Sequence, residues 1–207
     1  MREILGRSTS INVKKVLWLC AELGLPYRQE SWGTGFRSTN VPEFLALNPN
    51  GLVPVIRDGA FVLWESNAIC RYLAAKEGRG DLLPHELHAR AIVEQWMDWQ
   101  ATELNDAWRY AFMSLVRKSP AHGDPAAIAA SIEQWNRRMT MLDARLAQTG
   151  AYVASEAFTL ADIGIGVATH RWFATPIDRP ALPAVEAYYE RLSTRAGFRE
   201  HVRNGSP

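Results

Sequence analysis

The stretch from Asn48 to Ile69, NPNGLVPVIRDGAFVLWESNAI, limits the folds open to this chain more than any other. Asn48-Pro49-Asn50-Gly51 is a turn cluster in which Gly51 is free to take a positive φ. Val53-Pro54-Val55-Ile56 starts a strand, and Asp58-Gly59 is the strongest two-residue hairpin signal in the sequence. The unbroken apolar run Phe61 to Trp64 predicts a second strand covered on both faces. Glu65-Ser66 then closes that strand and caps a helix carrying Ile69, Tyr72 and Leu73. The order is turn, strand, turn, strand, helix.

Two details give this corner chemical interest. Pro54 stands at the start of a strand, where it removes no essential ladder bond, and X-Pro is the one linkage at which a cis peptide is cheap. A cis bond there turns the Val53 amide and carbonyl outward, able to pair with an extended peptide. Ser66 at a helix start offers a hydroxyl beside unpaired backbone N–H groups, which suits a carboxylate. Together they fit a small acidic peptide. The same residues also make a plain structural corner, and taken alone they leave both readings open.

Around this corner the chain divides in two. A short strand at Glu3 to Gly6 leads through Arg7-Ser8-Thr9-Ser10 into a helix from Ile11 to Leu23, which Gly24 and Pro26 end. A second strand at Tyr27 to Trp32 is expected to run parallel to the first after a right-handed crossover. A loop with Arg37 and a short helix from Pro42 to Leu47 precede the hairpin. This β-α-β-α-β-β-α order is that of an α/β thioredoxin-like domain, expected over residues 1–78, with a linker at 79–86. Over 87–207 strand signals vanish, which predicts an all-α domain. One long helix is expected from Leu87 to Val116, with Gln100 interrupting its apolar stripe. The next carries Ile128, Ile132, Trp135, Met139, Leu142 and Leu146 at steps of four and three. Thr159 and Asp162 then form a capping box and Phe158 with Ile163 a hydrophobic staple, opening a helix that contains Gly164 and Gly166. Those glycines, each about 1 kcal/mol worse than Ala in a helix, predict close helix packing.

Asn48 to Gly59 followed by Leu63 to Ile69 resembles the glutathione-binding half of the cytosolic glutathione transferases, and the likeness extends over most of the chain. It implies a cis Val53-Pro54 bond, with Val53 pairing the cysteinyl backbone of glutathione and Glu65 and Ser66 holding its γ-glutamyl end. It also implies conjugation of glutathione, as co-substrate, to a small apolar electrophile by a homodimer. Ser10-Ile11-Asn12-Val13 is similar to the motif of the serine-type members, close to the theta and phi classes. That likeness places the catalytic hydroxyl on Ser10, with Asn12 as a second donor. Arg37, Thr39 and Asn40 lie in the region that supplies the glycyl carboxylate contact, while Leu52 stands where many relatives carry Gln or Lys. Asp98 matches a group lent to the γ-glutamyl amine by the partner subunit. Asn105, Trp108 and Phe112 are expected to face an electrophile pocket between the domains.

The energetics of that chemistry are modest. A free thiol titrates near pH 8.5. Lowering this by two units takes about 2.7 kcal/mol of preference for the anion. One charge-assisted hydrogen bond gives roughly 1.5–3 kcal/mol and a helix start adds more, so one donor beside the first helix suffices. Ser8, Thr9, Ser10 and Asn12 are the candidates, and capping by Ser10 is compatible with donation. Glutathione-dependent peroxide or disulfide reduction at the same site is the enzymatic alternative, and a glutathione-binding assembly module the non-catalytic one.

Composition excludes other classes. Lys and Arg number 23 against 22 Asp and Glu, so no basic field argues for nucleic acid. Cys20 and Cys70 are the only cysteines, and they form neither a CxxC pair nor a zinc spacing. No metal is expected, since His85, His88, His122, His170 and His201 form no ligand set. Without an h-region near the N-terminus or a spanning segment, the expectation is a cytoplasmic protein that does not enter the membrane.

Overall fold

The computed structural model of the chain describes residues 1–205, so the last two residues of the expected helical domain lie outside it. It comprises two compact units. The first holds residues 1–83 and 196–205; the second runs from Pro84 to Arg195.

In the first unit β1 (Arg2–Leu5), α1 (Ile11–Leu23), β2 (Tyr27–Glu30), α2 (Pro42–Leu45), β3 (Val55–Asp58), β4 (Phe61–Trp64) and α3 (Ser66–Lys76) follow in order. The sheet order is β2-β1-β3-β4, with β1 and β2 parallel and the other pairs antiparallel. This is the thioredoxin-like arrangement. Ile4 pairs with Ile56 and Leu5 with Val55, all four buried. Leu5 and Val55 join Trp32 and Phe44 in one cluster, against which Val41, Leu47, Val53 and Val62 pack. Val53 is therefore anchored by apolar contact just before the strand begins.

Gly6 explains how the end of β1 comes close to that point. Its φ is +151°, and a Cβ there would lie 2.6 Å from Val13 Cγ2 and 3.0 Å from Val53 Cβ. Only glycine fits. α1 ends as its sequence predicts, with Gly24 in the left-handed region and Leu25 N–H bonded to the Cys20 carbonyl at 2.9 Å.

Three expectations are corrected in this unit. β4 is an edge strand, so the run Phe61 to Trp64 is not covered on both faces: Phe61 is 47% and Trp64 37% exposed. Glu65 and Ser66 stand at the start of α3 as expected, but the Glu65 side chain makes no capping hydrogen bond. The C-terminal helix Ala196–His201 belongs with this unit and not with the helical domain in which the sequence reading placed it. It packs on α1 through Trp18 and Phe198, whose ring centroids are 5.0 Å apart, and Lys14 Nζ reaches the Val202 carbonyl at 3.3 Å.

The second unit contains α4 (Leu87–Trp99), a π-helical turn (Gln100–Leu104), α5 (Asn105–Leu115), a short 3-10 turn (Pro120–His122), α6 (Pro125–Thr149), α7 (Leu160–Ala174) and α8 (Pro183–Ser193). The long helix expected from Leu87 to Val116 is thus continuous to Leu115, with a π-helical turn beginning at Gln100, where the apolar stripe fails. Gln100 is fully buried, and its Nε2 donates to Asn105 Oδ1 at 2.9 Å. Its Oε1 would lie 3.1 Å from a Cβ on Gly164. A buried amide needs a partner, and the widened turn supplies one on the same helix. Gly164 makes the room, which accounts for a glycine inside a buried helix.

α6 buries Trp135, Met139, Leu142 and Leu146 along one face. α7 is covered nearly all round, and its first turn is held by the Thr159–Asp162 capping box. Asp162 accepts from Val153 N–H at 3.0 Å, Thr159 N–H at 2.8 Å, Thr159 Oγ1 at 3.2 Å and Tyr188 OH at 3.1 Å. Burial pushes its carboxyl up to about 6, against the pull of these donors. Among the described residues, no helix is long and apolar enough to cross a membrane.

Candidate functional site

A pocket in the first unit is lined by Asn12, Asn48, Leu52, Val53, Pro54, Glu65 and Ser66. Three separate pieces of sequence meet there. The α1 start brings Asn12, the turn before β3 brings Asn48 to Pro54, and the α3 start brings Glu65 and Ser66.

The Val53-Pro54 bond is cis. Among the described residues no backbone hydrogen bond joins Val53 to another protein group outside the strands. Glu65 has φ 72° and ψ 110°, a conformation that costs a non-glycine residue about 1–3 kcal/mol and is retained mainly at functional sites. No side chain caps α3, so its first N–H groups stand beside Ser66. Ser66 is buried, and its hydroxyl donates to Asn12 Oδ1 at 3.3 Å. That bond turns the Asn12 carbonyl toward Ser66 and leaves the Asn12 amide N–H groups for a different partner. A pocket with hydroxyl, amide and helix-start donors at one wall can hold a carboxylate; its Val53 wall can take an extended backbone.

Ser10 is the residue preceding α1, half-buried, with its N–H on the Arg7 carbonyl at 3.1 Å and its own carbonyl accepting from Lys14 N–H at 2.9 Å. Its hydroxyl makes no capping hydrogen bond. It stands two residues before Asn12 but does not itself line the pocket. Cys20 and Cys70 are buried, and burial pushes each thiol up to about 12. Neither is a reactive thiolate near neutral pH.

The remaining expected site residues lie elsewhere. Arg37 is outside the pocket lining: its guanidinium pairs with Glu30 and with Glu43 at 2.6 Å and stacks 3.9 Å from the Trp32 ring. Asp98 is exposed on α4 of the second unit. Asn105, expected to face an electrophile, is occupied internally, accepting from Gln100 and from Trp108 Nε1 at 3.1 Å and donating to the Ala101 carbonyl at 3.2 Å. Trp108 and Phe112 are buried core rings 5.4 Å apart, flanking the Arg171 guanidinium at 4.4 and 3.9 Å. They pack inside the helical unit.

One contributor was missed. Asn48 is buried, donates to the Leu52 carbonyl at 2.7 Å and accepts from Asn50 N–H at 3.0 Å, so it sets the path of the chain into Val53. An Asn ahead of Pro and Gly in a turn is the available signal, because such a side chain bonds its own backbone. Among the described residues no cluster of His, Cys, Asp and Glu could hold a metal ion.

Comparison with known proteins agrees with this geometry. Family models for the glutathione S-transferase N-terminal and C-terminal domains match residues 9–76 and 125–191. The glutathione S-transferase GstB of Escherichia coli strain K12 is 40% identical over 199 residues, 95% of each chain. The disulfide-bond oxidoreductase YfcG of the same strain is 30% identical over 195 residues, covering 89% of this chain and 86% of that protein. The crystal structure of a theta class glutathione S-transferase from Xanthomonas axonopodis pv. citri, solved with glutathione bound, superposes with a TM-score of 0.93 at 40% identity, covering 100% of this chain and 99% of that one. With that identity sustained along nearly its whole length, the chain belongs to the glutathione S-transferase family.

Proposed function

We propose that the protein is a cytoplasmic glutathione transferase that binds glutathione in the first-unit pocket, stabilises its thiolate and conjugates it to a small apolar electrophile. The observation that carries this reading is the meeting of the cis Val53-Pro54 corner, the open α3 start with Ser66, and Asn12 in one pocket. Ser66 and the α3 N–H groups take the γ-glutamyl carboxylate, and the Val53 backbone pairs with the cysteinyl residue. This brings the thiol toward the α1 start, where Asn12 and Ser10 are its donors. The thiolate then attacks the electrophilic carbon and displaces the leaving group or opens the ring. The working form is a homodimer, with Asp98 of the partner subunit facing the γ-glutamyl amine; the exposure of Asp98 on α4 supports this.

The similarity to YfcG favours a second reading, reduction of disulfides. A bound glutathione thiolate would attack the substrate disulfide and release one thiol, and a second glutathione would resolve the mixed disulfide. The high thiol pKa of Cys20 and Cys70 keeps the chain's own cysteines out of either cycle.

Millimolar glutathione should raise the melting temperature, because a ligand that binds only the folded state stabilises it by mass action. No shift would remove the central claim. Turnover with aryl halides and epoxides against organic peroxides and mixed disulfides then separates the two chemistries.

A further inference from the structure

Lys14 and Lys15 stand together in α1, just after Ser10 and Asn12, and each is only 1% exposed. Burying a lysine head group is costly, and lysine is among the residues least often fully buried unless paired. An apolar side chain would fill either place at less cost, so what the two lysines supply is direction. They point apart. Lys14 Nζ turns to the C-terminal segment, donating to the Val202 carbonyl at 3.3 Å and to Asn204 Oδ1 at 3.4 Å. Lys15 Nζ turns to α3 and donates to Asn67 Oδ1 at 3.3 Å.

The Lys15 contact adjoins the pocket. Asn12 and Lys15 are three apart and share a face of α1. Ser66 and Asn67 are neighbours in the first turn of α3. Two polar contacts therefore join the start of one helix to the start of the other, Ser66 Oγ to Asn12 Oδ1 and Lys15 Nζ to Asn67 Oδ1. They differ in what a ligand does to them. A serine hydroxyl has one hydrogen, so a carboxylate that takes it from Ser66 breaks the bond to Asn12, while the bond from Lys15 to Asn67 stays. We infer that Lys15 is a positioning residue: through Asn67 it keeps the thiol donors at the α1 start in register with the α3 start once glutathione is bound. This rests on the pocket being a glutathione site. Catalysis is sensitive to such register, since a displacement of about 1 Å can cost about 100-fold.

Lys15→Met, of similar length and apolar, tests this through the pH–rate profile and the ultraviolet absorbance of the bound glutathione thiolate. Its Kd for glutathione should stay within about threefold of the parent, while kcat at neutral pH falls about tenfold. The pKa of the bound thiol should rise by about one unit, so that activity returns as pH rises. Asn67→Ala keeps the Lys15 charge and removes its acceptor. It should shift the same pKa in the same direction, and the double variant should do no more than the larger single loss. Lys14→Met should lower the melting temperature and leave the thiol pKa at its parental value. A Lys15→Met protein with the parental thiol pKa overturns the inference. So does a shift that Asn67→Ala does not share, since Lys15 would then act by its charge alone, and so does an equal shift in Lys14→Met, which would mean that α1 has merely loosened. If Lys15→Met does not fold, Asn67→Ala against Lys14→Met decides by the same pKa. A parent protein that binds no glutathione would remove the site reading, and this inference with it.

Discussion

The helix starts of the two units are built on opposite plans. In the second unit each independent α-helix has its first N–H groups closed by a side chain. Glu86 accepts from His88 and Ala89 at the start of α4, and Asp124 accepts from Ala126 at α6. Asp162 closes α7, and Asp143 reaches across to Ala184 and Val185 at α8. In the first unit α1 follows Ser10 and α3 follows Glu65, and neither side chain makes a capping bond. An open start forgoes about 0.5–2 kcal/mol that a cap would give. At α3 a strained Glu65 adds to that cost. The second unit uses its carboxylates to hold itself together. The first leaves donors open at the residues that line or adjoin its pocket, so a ligand's carboxylate can complete what the chain does not.

The largest expected effect is at the most closed of these starts. Asp162→Ala leaves buried donors from Val153, Thr159 and Tyr188 without an acceptor. The loss in urea unfolding should be about 3–5 kcal/mol, well above an ordinary cap. A loss under 1 kcal/mol would return Asp162 to the rank of a surface cap. The glutathione affinity of the folded fraction should be unchanged.

Asp162 should also leave a signature in pH. Its folded pKa of about 6 exceeds the ordinary 3.8, so the folded state keeps a proton that the unfolded chain has already lost. The stability this confers is fully present below about pH 4 and is lost as pH rises through 6. Two units correspond to about 3 kcal/mol. Asp162→Asn should flatten that part of the stability profile relative to the parent protein, and an identical slope in both would rule out Asp162 as its source.

Ser66→Ala tests the open plan. Removing the hydroxyl should weaken glutathione binding about 10- to 100-fold, the worth of one charge-assisted bond, while unfolding free energy changes by less than about 1 kcal/mol. A variant that unfolds easily but binds normally would make α3 another structural start, and the contrast between the units would disappear.

Much of this contrast was legible in the sequence, for different reasons in the two units. The Thr159–Asp162 box is local, three residues apart, so its chemistry could be read before the fold was known. The hairpin corner was legible because Pro54, Asp58-Gly59 and Ser66 each carry a local backbone signal. Contacts across long separations were not. Nothing near Asp143 announces that it closes a helix beginning at Pro183, and nothing near Trp18 announces that Phe198 covers it. Periodicity showed that the face of Trp108 and Phe112 is apolar, not that the Arg171 guanidinium lies against both rings. Around Arg37 the partners Glu30 and Glu43 were visible as charges, but their convergence on one guanidinium belongs to the loop's path.

The smallest expected effect concerns the other open start. Ser10 has an uncapped hydroxyl outside the pocket lining, and Asn12 lines the pocket with its carbonyl turned to Ser66. If both donate to the thiolate, Ser10→Ala and Asn12→Ala should each slow turnover at neutral pH by about five- to tenfold, with little effect on glutathione affinity for Ser10→Ala. The double variant should lose more than the product of the two, since each donor partly covers for the other. The pH–rate profile discriminates. Losing a donor raises the pKa of the bound thiol, so each single variant should recover as pH rises and thiolate forms without help. Asn12→Ala also frees the Ser66 hydroxyl from its Oδ1 partner, so its loss should include a change in Kd that Ser10→Ala does not share. A Ser10 variant that stays slow at high pH would refute thiolate stabilisation by that residue, and α1 would then be an open start that serves the site through Asn12 alone.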